Sequence, residues 1–156
     1  MRTLLTTLLV MTTVAGMAVA ADKPNFSGDW SIDATKSDFG PMPPPATMTR
    51  KVDHSDPALS YTEATTGGPQ GDQTITMKCS TDGKETTNEM MGNPVKTTAK
   101  WDGDALVIAA KADFQGNEIT LTDKWTLSAD GKVLTDARHI GMAQGEFDIT
   151  YVMNKK

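Results

Sequence analysis

Three charged residues, Arg50, Asp123 and Arg138, alternate with apolar residues at a spacing of two. In an extended strand this spacing places a charged side chain on the same face as its apolar neighbours. Such a charge can anchor the polar head of a ligand inside an otherwise apolar cavity, so a cavity-facing Arg50 predicts selective binding of anionic amphiphiles. The pattern equally fits a strand bulge, a residue at an open rim or an internal arginine–aspartate pair, because a buried charge is costly unless paired. For Arg138 the facing is ambiguous, since Val133 and Leu134 are both apolar.

Aromatic and methionine side chains on the same apolar faces could line such a cavity. The candidates are Tyr61, Met77, Trp101, Trp125 and Tyr151, together with Met48 and Met153. Their alternative role is to fill a solid core. A small barrel often keeps room for one ligand, and methionine suits surfaces that accept varied partners.

The residue types of catalytic and metal centres occur here without the required spacing. His54 and His139 are the only histidines and fall in separate runs, unlike the ligands of a zinc site. No Gly-x-Ser-x-Gly motif, Cys–His pairing or phosphate-cradling glycine loop occurs. Cys79 is the only cysteine and alternates with Ile75 and Met77, which predicts a buried, inert thiol and no intramolecular disulfide. We predict no enzyme activity, no metal and no cofactor.

The elements that position these residues are predicted to be strands. Period-two alternation recurs from Phe26 onward, with one apolar face and one rich in Thr, Lys and Asp, as in an antiparallel sheet with one solvated side. The predicted strands lie near Phe26–Ile32, Thr47–His54, Leu59–Thr65, Gln73–Ser80, Glu85–Met90, Val95–Trp101, Ala105–Phe114, Glu118–Leu127, Lys132–Ile140 and Glu146–Asn154.

Short joins connect these runs. Asp82–Gly83, Asp102–Gly103 and Asp130–Gly131 favour tight hairpins, because Asp and Gly tolerate the positive φ of primed turns. Neighbouring strands should therefore pair, and the first should meet the last, since closure removes both exposed edges. The sequence predicts an all-β, antiparallel up-and-down barrel of eight to ten strands. The proline-rich Gly40–Ala46 cannot be an interior strand and should cross outside the sheet or over one mouth as a crude lid.

The first twenty residues have the composition of a signal peptide. Arg2 precedes an apolar stretch that ends in Ala18-Val19-Ala20, a small-x-small cleavage site. We predict a mature chain of one domain, residues 21–156, exported to the periplasm or secreted. Loss of Arg2 takes the formal charge from −5 to −6, which argues against a nucleic-acid partner. No membrane span is expected after cleavage, a lipid-facing barrel is disfavoured by the charged second face, and a monomer is expected.

The stretch FSGDWSIDATKSDF, Phe26 to Phe39, resembles the opening of the calycins, the lipocalins and fatty-acid-binding proteins. Gly28 and Trp30 match the lipocalin Gly-x-Trp that closes one barrel end. The resemblance implies a barrel with an interior, and it implies a cation stacked over Trp30, for which Arg138 is the candidate. The chain lacks the helical lid of fatty-acid-binding proteins. It also reads Tyr151-Val152-Met153 where they carry an Arg-x-Tyr for the fatty-acid carboxylate, so the resemblance does not imply a fatty acid.

Two functions follow as expectations. The first is an exported, lipocalin-like protein that sequesters a small hydrophobic or amphiphilic ligand in the barrel interior. The alternative is a solid-core interaction module of the cell envelope, with no ligand cavity and no catalysis. The interior volume separates the two.

Overall fold

The computed structural model describes residues 23–156, and the predicted signal peptide, residues 1–20, lies outside the described residues. Ten strands follow one another: β1 (Gly28–Ile32), β2 (Thr47–Ser55), β3 (Ala58–Gly68), β4 (Gly71–Ser80), β5 (Thr86–Met90), β6 (Asn93–Asp102), β7 (Ala105–Phe114), β8 (Asn117–Leu127), β9 (Val133–Met142) and β10 (Gly145–Lys155). Within the described residues, no helix is long and apolar enough to cross a membrane.

The strands form one antiparallel sheet that curls into a nearly closed barrel. Their order around the wall is β4-β3-β2-β1-β10-β9-β8-β7-β6-β5, so the first and last strands pair, with Trp30 opposite Lys155. Apolar residues alternate inward along each strand and meet in one core. The predicted up-and-down meander is confirmed, because alternate residues of an extended chain point to opposite faces.

The hairpin predicted at Asp82–Gly83 is wrong. β4 and β5 are consecutive in the sequence, yet they lie at the two ends of the sheet and form no ladder. After β4 the chain turns away, and Asp82 makes an isolated bridge with Lys100. The Asp-Gly pairs between β6 and β7 and between β8 and β9 do join paired strands. A turn sequence permits a hairpin, but the pairing of its flanking strands decides whether one forms.

Hydrogen bonds from two side chains of β5, Asn88 and Thr86, connect β5 to β4 where no backbone ladder forms. The backbone N–H of Lys78 donates to Asn88 Oδ1 at 2.8 Å, and Asn88 Nδ2 donates to the Lys78 carbonyl at 2.9 Å. The Thr86 hydroxyl donates to the same carbonyl. These bonds replace a backbone ladder near the carboxyl end of β4, so the barrel is closed there by side chains.

Aromatic side chains fill the end of the barrel near Gly28, which we call the closed end. Trp30 is fully buried, and its Nε1 donates to the Phe26 carbonyl at 3.1 Å. Phe26 also lies 5.7 Å from the Trp125 ring and 6.0 Å from the Trp101 ring. Trp30 therefore packs among the side chains at this end, and the role of Gly28 and Trp30 in closing it stays a prediction.

At the opposite end, which we call the open end, the proline-rich segment Gly40–Ala46 lies at the rim. Asp38 pairs with Thr150 of β10, and the Ala46 N–H donates to the Thr66 carbonyl of β3 at 2.9 Å. Between these contacts Met42 packs against the core. The segment thus runs from β10 to the start of β2 without joining the sheet, since proline has no N–H to donate.

Candidate functional site

Arg50 lies inside the barrel and holds two carboxylates. Its Nε donates to Glu63 Oε2 at 3.0 Å on the neighbouring β3, directly opposite in the ladder. Its Nη2 donates to Asp136 Oδ2 of β9 at 2.8 Å. The Arg50 and Asp136 side chains are both 0 % exposed. Because Arg50 already binds two acids and is sealed from solvent, its geometry is that of an internal ion pair.

Arg138 and Asp123 form a second pair, opposite each other on β9 and β8. Arg138 Nε and Nη2 donate to the two oxygens of Asp123 at 2.7 and 3.0 Å. Arg138 Nη2 also lies 3.8 Å from Asp136 Oδ2, so the two pairs are continuous. The five residues, here called the interior charged cluster, are Arg50, Glu63, Asp123, Asp136 and Arg138.

Burial and neighbouring charges shift the pKa values of Asp136 and Glu63 in opposite directions. Burial, followed by repulsion from Asp123, raises the pKa of Asp136 to about 6 despite the attraction of Arg50 and Arg138. Burial also raises the pKa of Glu63, but Arg50 and Arg138 outweigh it and leave that pKa lowered. Of these two acids, Asp136 is therefore the one whose charge is held less firmly near neutral pH.

Two cluster atoms are left without partners. Among residues 23–156, neither Arg50 Nη1 nor Asp136 Oδ1 has a hydrogen-bond partner, although both are buried. One is a donor and the other an acceptor. An unsatisfied buried polar atom costs about 1–3 kcal/mol, so the cluster retains unused hydrogen-bonding capacity.

Three of the predicted aromatic residues contact this cluster, and Met77 lies opposite one of them. The Arg50 guanidinium lies 4.6 Å from the Trp125 ring and 5.6 Å from the Tyr61 ring. Arg138 lies 5.2 Å from the Tyr151 ring, and Met77 pairs with Tyr61 across β3 and β4. Cation–π contacts of this kind contribute about 0.5–2 kcal/mol each.

Trp101 lies apart from these residues, at the closed end. Its Nε1 donates to Asp56 Oδ1 at 2.9 Å, and its ring stacks on Phe26. The expectation that Arg138 stacks over Trp30 is wrong. The cation over the Trp30 ring is Lys155, at 5.3 Å, because Lys155 is opposite Trp30 in the β1–β10 ladder. Arg138 is instead held by Asp123.

Sequence reasoning missed Glu63 and Asp136 as members of the cluster. Glu63 alternates with the inward residues Leu59 and Tyr61, and Asp136 alternates with Leu134, so the signal was the same period of two that identified Arg50. Within residues 23–156, no group of three or more His, Cys, Asp or Glu side chains is placed to hold a metal ion.

Partly exposed apolar side chains surround the interior at the open end. They pack against the buried core, and we call them the open-end ring: Phe39, Met42, Ile75, Met90, Phe114, Leu121, Ile140 and Phe147. A cleft of about 300 Å³ enters at this end between β4 and β5, and Ile75 and Met90 are among its lining residues. The open end thus offers an apolar surface to solvent above the cluster.

A larger cleft of about 490 Å³ lies at the closed end, beside the β2–β3 turn. His54, Leu59 and Cys79 contribute to it, and the His54 ring is fixed because Nδ1 accepts the Phe26 N–H. None of the cluster residues lines this cleft, and none lines the smaller cleft at the open end. The open end is distinguished instead by the open-end ring, which packs against the core and has members on β8 and β9, two of the strands that carry the cluster.

No protein-family model and no curated protein matches the sequence. Solved structures do match the fold. Zebrafish ileal bile acid-binding protein complexed with cholic acid aligns with a TM-score of 0.55 and 16% identity, over 84% of this chain and 98% of that one. A secretory abundant heat soluble protein from Ramazzottius varieornatus aligns with a TM-score of 0.58 and 12% identity, over 86% and 97% of the two chains.

A mutant of the fluorescent protein UnaG aligns with a TM-score of 0.51 and 17% identity, over 84% of this chain and 96% of that one. At these identities the likeness concerns architecture, and it extends over nearly the whole length of each neighbour. Together with the ten-strand meander, it shows that this chain has the fold of the calycin-like β-barrels.

Proposed function

We propose that the protein is an exported binding protein that holds a small hydrophobic or amphiphilic molecule at the open end of its barrel. The ligand's apolar part contacts the open-end ring, and its polar part approaches the interior charged cluster. The role is passive sequestration without catalysis. The similarity to a bile acid-binding protein supports this function by analogy of fold.

The observation that carries the proposal is the placement of an apolar, partly exposed ring over buried polar groups. Ligand sites are typically concave and apolar with a few placed polar groups, which is the arrangement at this end. Leu121 of the ring and Asp123 of the cluster are two residues apart on β8, and both alternate inward. β8 therefore carries one residue that would contact the apolar part of the ligand and, two positions later, one that would lie near its polar part.

The test is a titration of the purified protein with an uncharged, apolar fluorescent dye, followed by native mass spectrometry of the protein as isolated. We expect saturable dye binding that is weakened at least several-fold by Leu121→Gln, because this change places a polar amide in the ring. Val107→Gln is the matched control, since Val107 lies on the outer face of the adjacent strand opposite Lys124. Equal weakening by both substitutions would contradict binding at the open end.

A second function, the solid-core interaction module of the cell envelope, is favoured by a different observation. Trp125, Arg50 and Asp136 are fully buried, so the middle of the barrel and its closed end are filled by side chains. If the protein binds no dye and carries no co-purifying small molecule, the sequestration hypothesis is wrong and the interaction-module hypothesis takes its place.

A further inference from the structure

The interior charged cluster contains more acid than base. Arg50 and Arg138 face Glu63, Asp123 and Asp136, so the formal charge of the cluster is −1 when all five side chains are ionised. Any charged ligand group brought into this low-dielectric interior interacts with that excess charge more strongly than it would in water.

Nε and Nη2 of both arginines are already engaged with these acids. Both Arg138 donors that bind Asp123 form one bidentate pair, and Arg50 Nε and Nη2 bind Glu63 and Asp136. An anionic head group that approached either arginine would lie among the three acids Glu63, Asp123 and Asp136. The Nε and Nη2 side of each guanidinium is therefore occupied by a cluster carboxylate, in contrast to the free anion anchor that the sequence predicts at Arg50.

One hydrogen-bond donor and one hydrogen-bond acceptor of the cluster remain without partners among the described residues. Arg50 Nη1 can donate and Asp136 Oδ1 can accept, and both lack partners among the described residues. The most exposed cluster side chains are those of Arg138, at 14%, and Glu63, at 11%, one positive and one negative. A hydroxyl or an amide, which both donates and accepts, complements these groups without adding charge. A cationic head group is attracted by the excess charge, but it loses its hydration in the interior, and that cost can exceed the Coulombic gain.

We propose that the ligand of the open end is an uncharged amphiphile whose head group carries a hydroxyl or an amide, and that the interior charged cluster discriminates against anionic amphiphiles at neutral pH. This inference rests on the proposed function and specifies its ligand class.

The experiment compares three amphiphiles with the same alkyl chain as competitors of the bound uncharged dye at pH 7.5. Decanol is neutral, decyl sulfonate is permanently anionic and decyltrimethylammonium is permanently cationic, so none changes its charge with pH. We expect decanol to bind roughly ten-fold more tightly than decyl sulfonate, a modest effect for one unit of opposed charge. Equal or tighter binding of the sulfonate would overturn the proposal, and so would tighter binding of the cation than of decanol.

A charge-neutralising variant tests whether the cluster is the cause. Asp123→Asn takes the formal charge of the cluster from −1 to 0 and should raise the affinity for decyl sulfonate roughly ten-fold relative to the affinity for decanol. Asp102→Asn, an equal charge change on the exposed outer face at the closed end, is the control and should leave both affinities unchanged. An equal rise in both variants would overturn the assignment to the cluster.

Glu63→Gln makes the same charge change and replaces Asp123→Asn if circular dichroism shows that the first variant does not fold. If the dye binds and the alkyl competitors show no charge preference, the ligand class is wrong and the proposed function stands. If neither the dye nor any competitor binds, both are wrong.

Discussion

Arg50 and Asp136 meet inside the barrel with 2.8 Å between Nη2 and Oδ2, although β2 and β9 are three strands apart around the wall. The contact crosses the interior and joins positions separated by 86 in the sequence. Neither the Arg50 nor the Asp136 side chain is exposed, so their opposite charges compensate each other inside the barrel. Arg50 also compensates the negative charge of Glu63.

Arg50→Ala should therefore destabilise the protein severely. It leaves two buried carboxylates without this partner, and breaking a buried ion pair typically costs about 3–5 kcal/mol. Denaturant unfolding measures the loss. Lys96→Ala, which removes one partner of an exposed pair with Glu85, is the control and should change stability by less than about 1 kcal/mol. A loss for Arg50→Ala as small as that of the control would show that the cluster is not the buried network described above.

Asp136 should make stability fall as pH rises. Its pKa is raised from 3.8 to about 6, so between these values the folded protein keeps a proton that the unfolded chain releases. Stability from this group is greatest below pH 4 and decreases by about 3 kcal/mol on going to pH 7. Asp136→Asn has no such titration, so the difference in unfolding free energy between wild type and variant should change by this amount from pH 4 to pH 7. A difference that stays constant with pH would contradict the buried, proton-retaining state of Asp136.

Cys79 should be unreactive in the native protein. It is buried, and burial raises the pKa of its thiol to about 11, which leaves little of the nucleophilic thiolate at neutral pH. We expect no reaction with a thiol reagent until denaturant is added, and then one equivalent. The control is Thr76→Cys in a Cys79→Ser background, which places a thiol at an exposed position of the same strand and should react in the native protein. Fast native labelling of Cys79 would place it outside the core.

Asn88→Ala should loosen the seam between β4 and β5. The substitution removes both side-chain hydrogen bonds to the Lys78 backbone, each contributing about 1 kcal/mol. Hydrogen exchange of the Lys78 amide should accelerate, while the amides of the β8–β9 ladder keep their relative protection. Thr87→Ala, at an exposed position of the same strand, should leave the Lys78 amide protected.

Export can be tested separately from binding. When the full chain is produced in a Gram-negative bacterium, we expect periplasmic or secreted protein whose measured mass corresponds to a chain that begins at Ala21. Leu8→Arg interrupts the apolar stretch and should retain the uncleaved chain in the cytoplasm. Cytoplasmic protein with an intact N-terminus from the unmodified chain would contradict the signal-peptide prediction.

The pattern of residue types was enough to predict which segments are extended and which apolar and aromatic side chains face inward, while the facing of the charged residues stayed open. Arg50, Tyr61 and Trp125 point into the barrel because side-chain direction alternates along a strand, a local property that needs no knowledge of the partner strand. The pairing of Trp30 with Lys155 across β1 and β10 was foreseen only as closure, without its register.

Which inward residues meet became clear only from the folded barrel. The ladder order separates β4 from β5 despite an Asp-Gly turn, and the curvature of the wall brings Arg50 to Asp136 and keeps Arg138 away from Trp30. Alternation fixes a side chain's face but not its neighbour across an interior, because that neighbour depends on how far the whole sheet curls. The ion pairs of the cluster, and hence its excess negative charge, are set by that curvature.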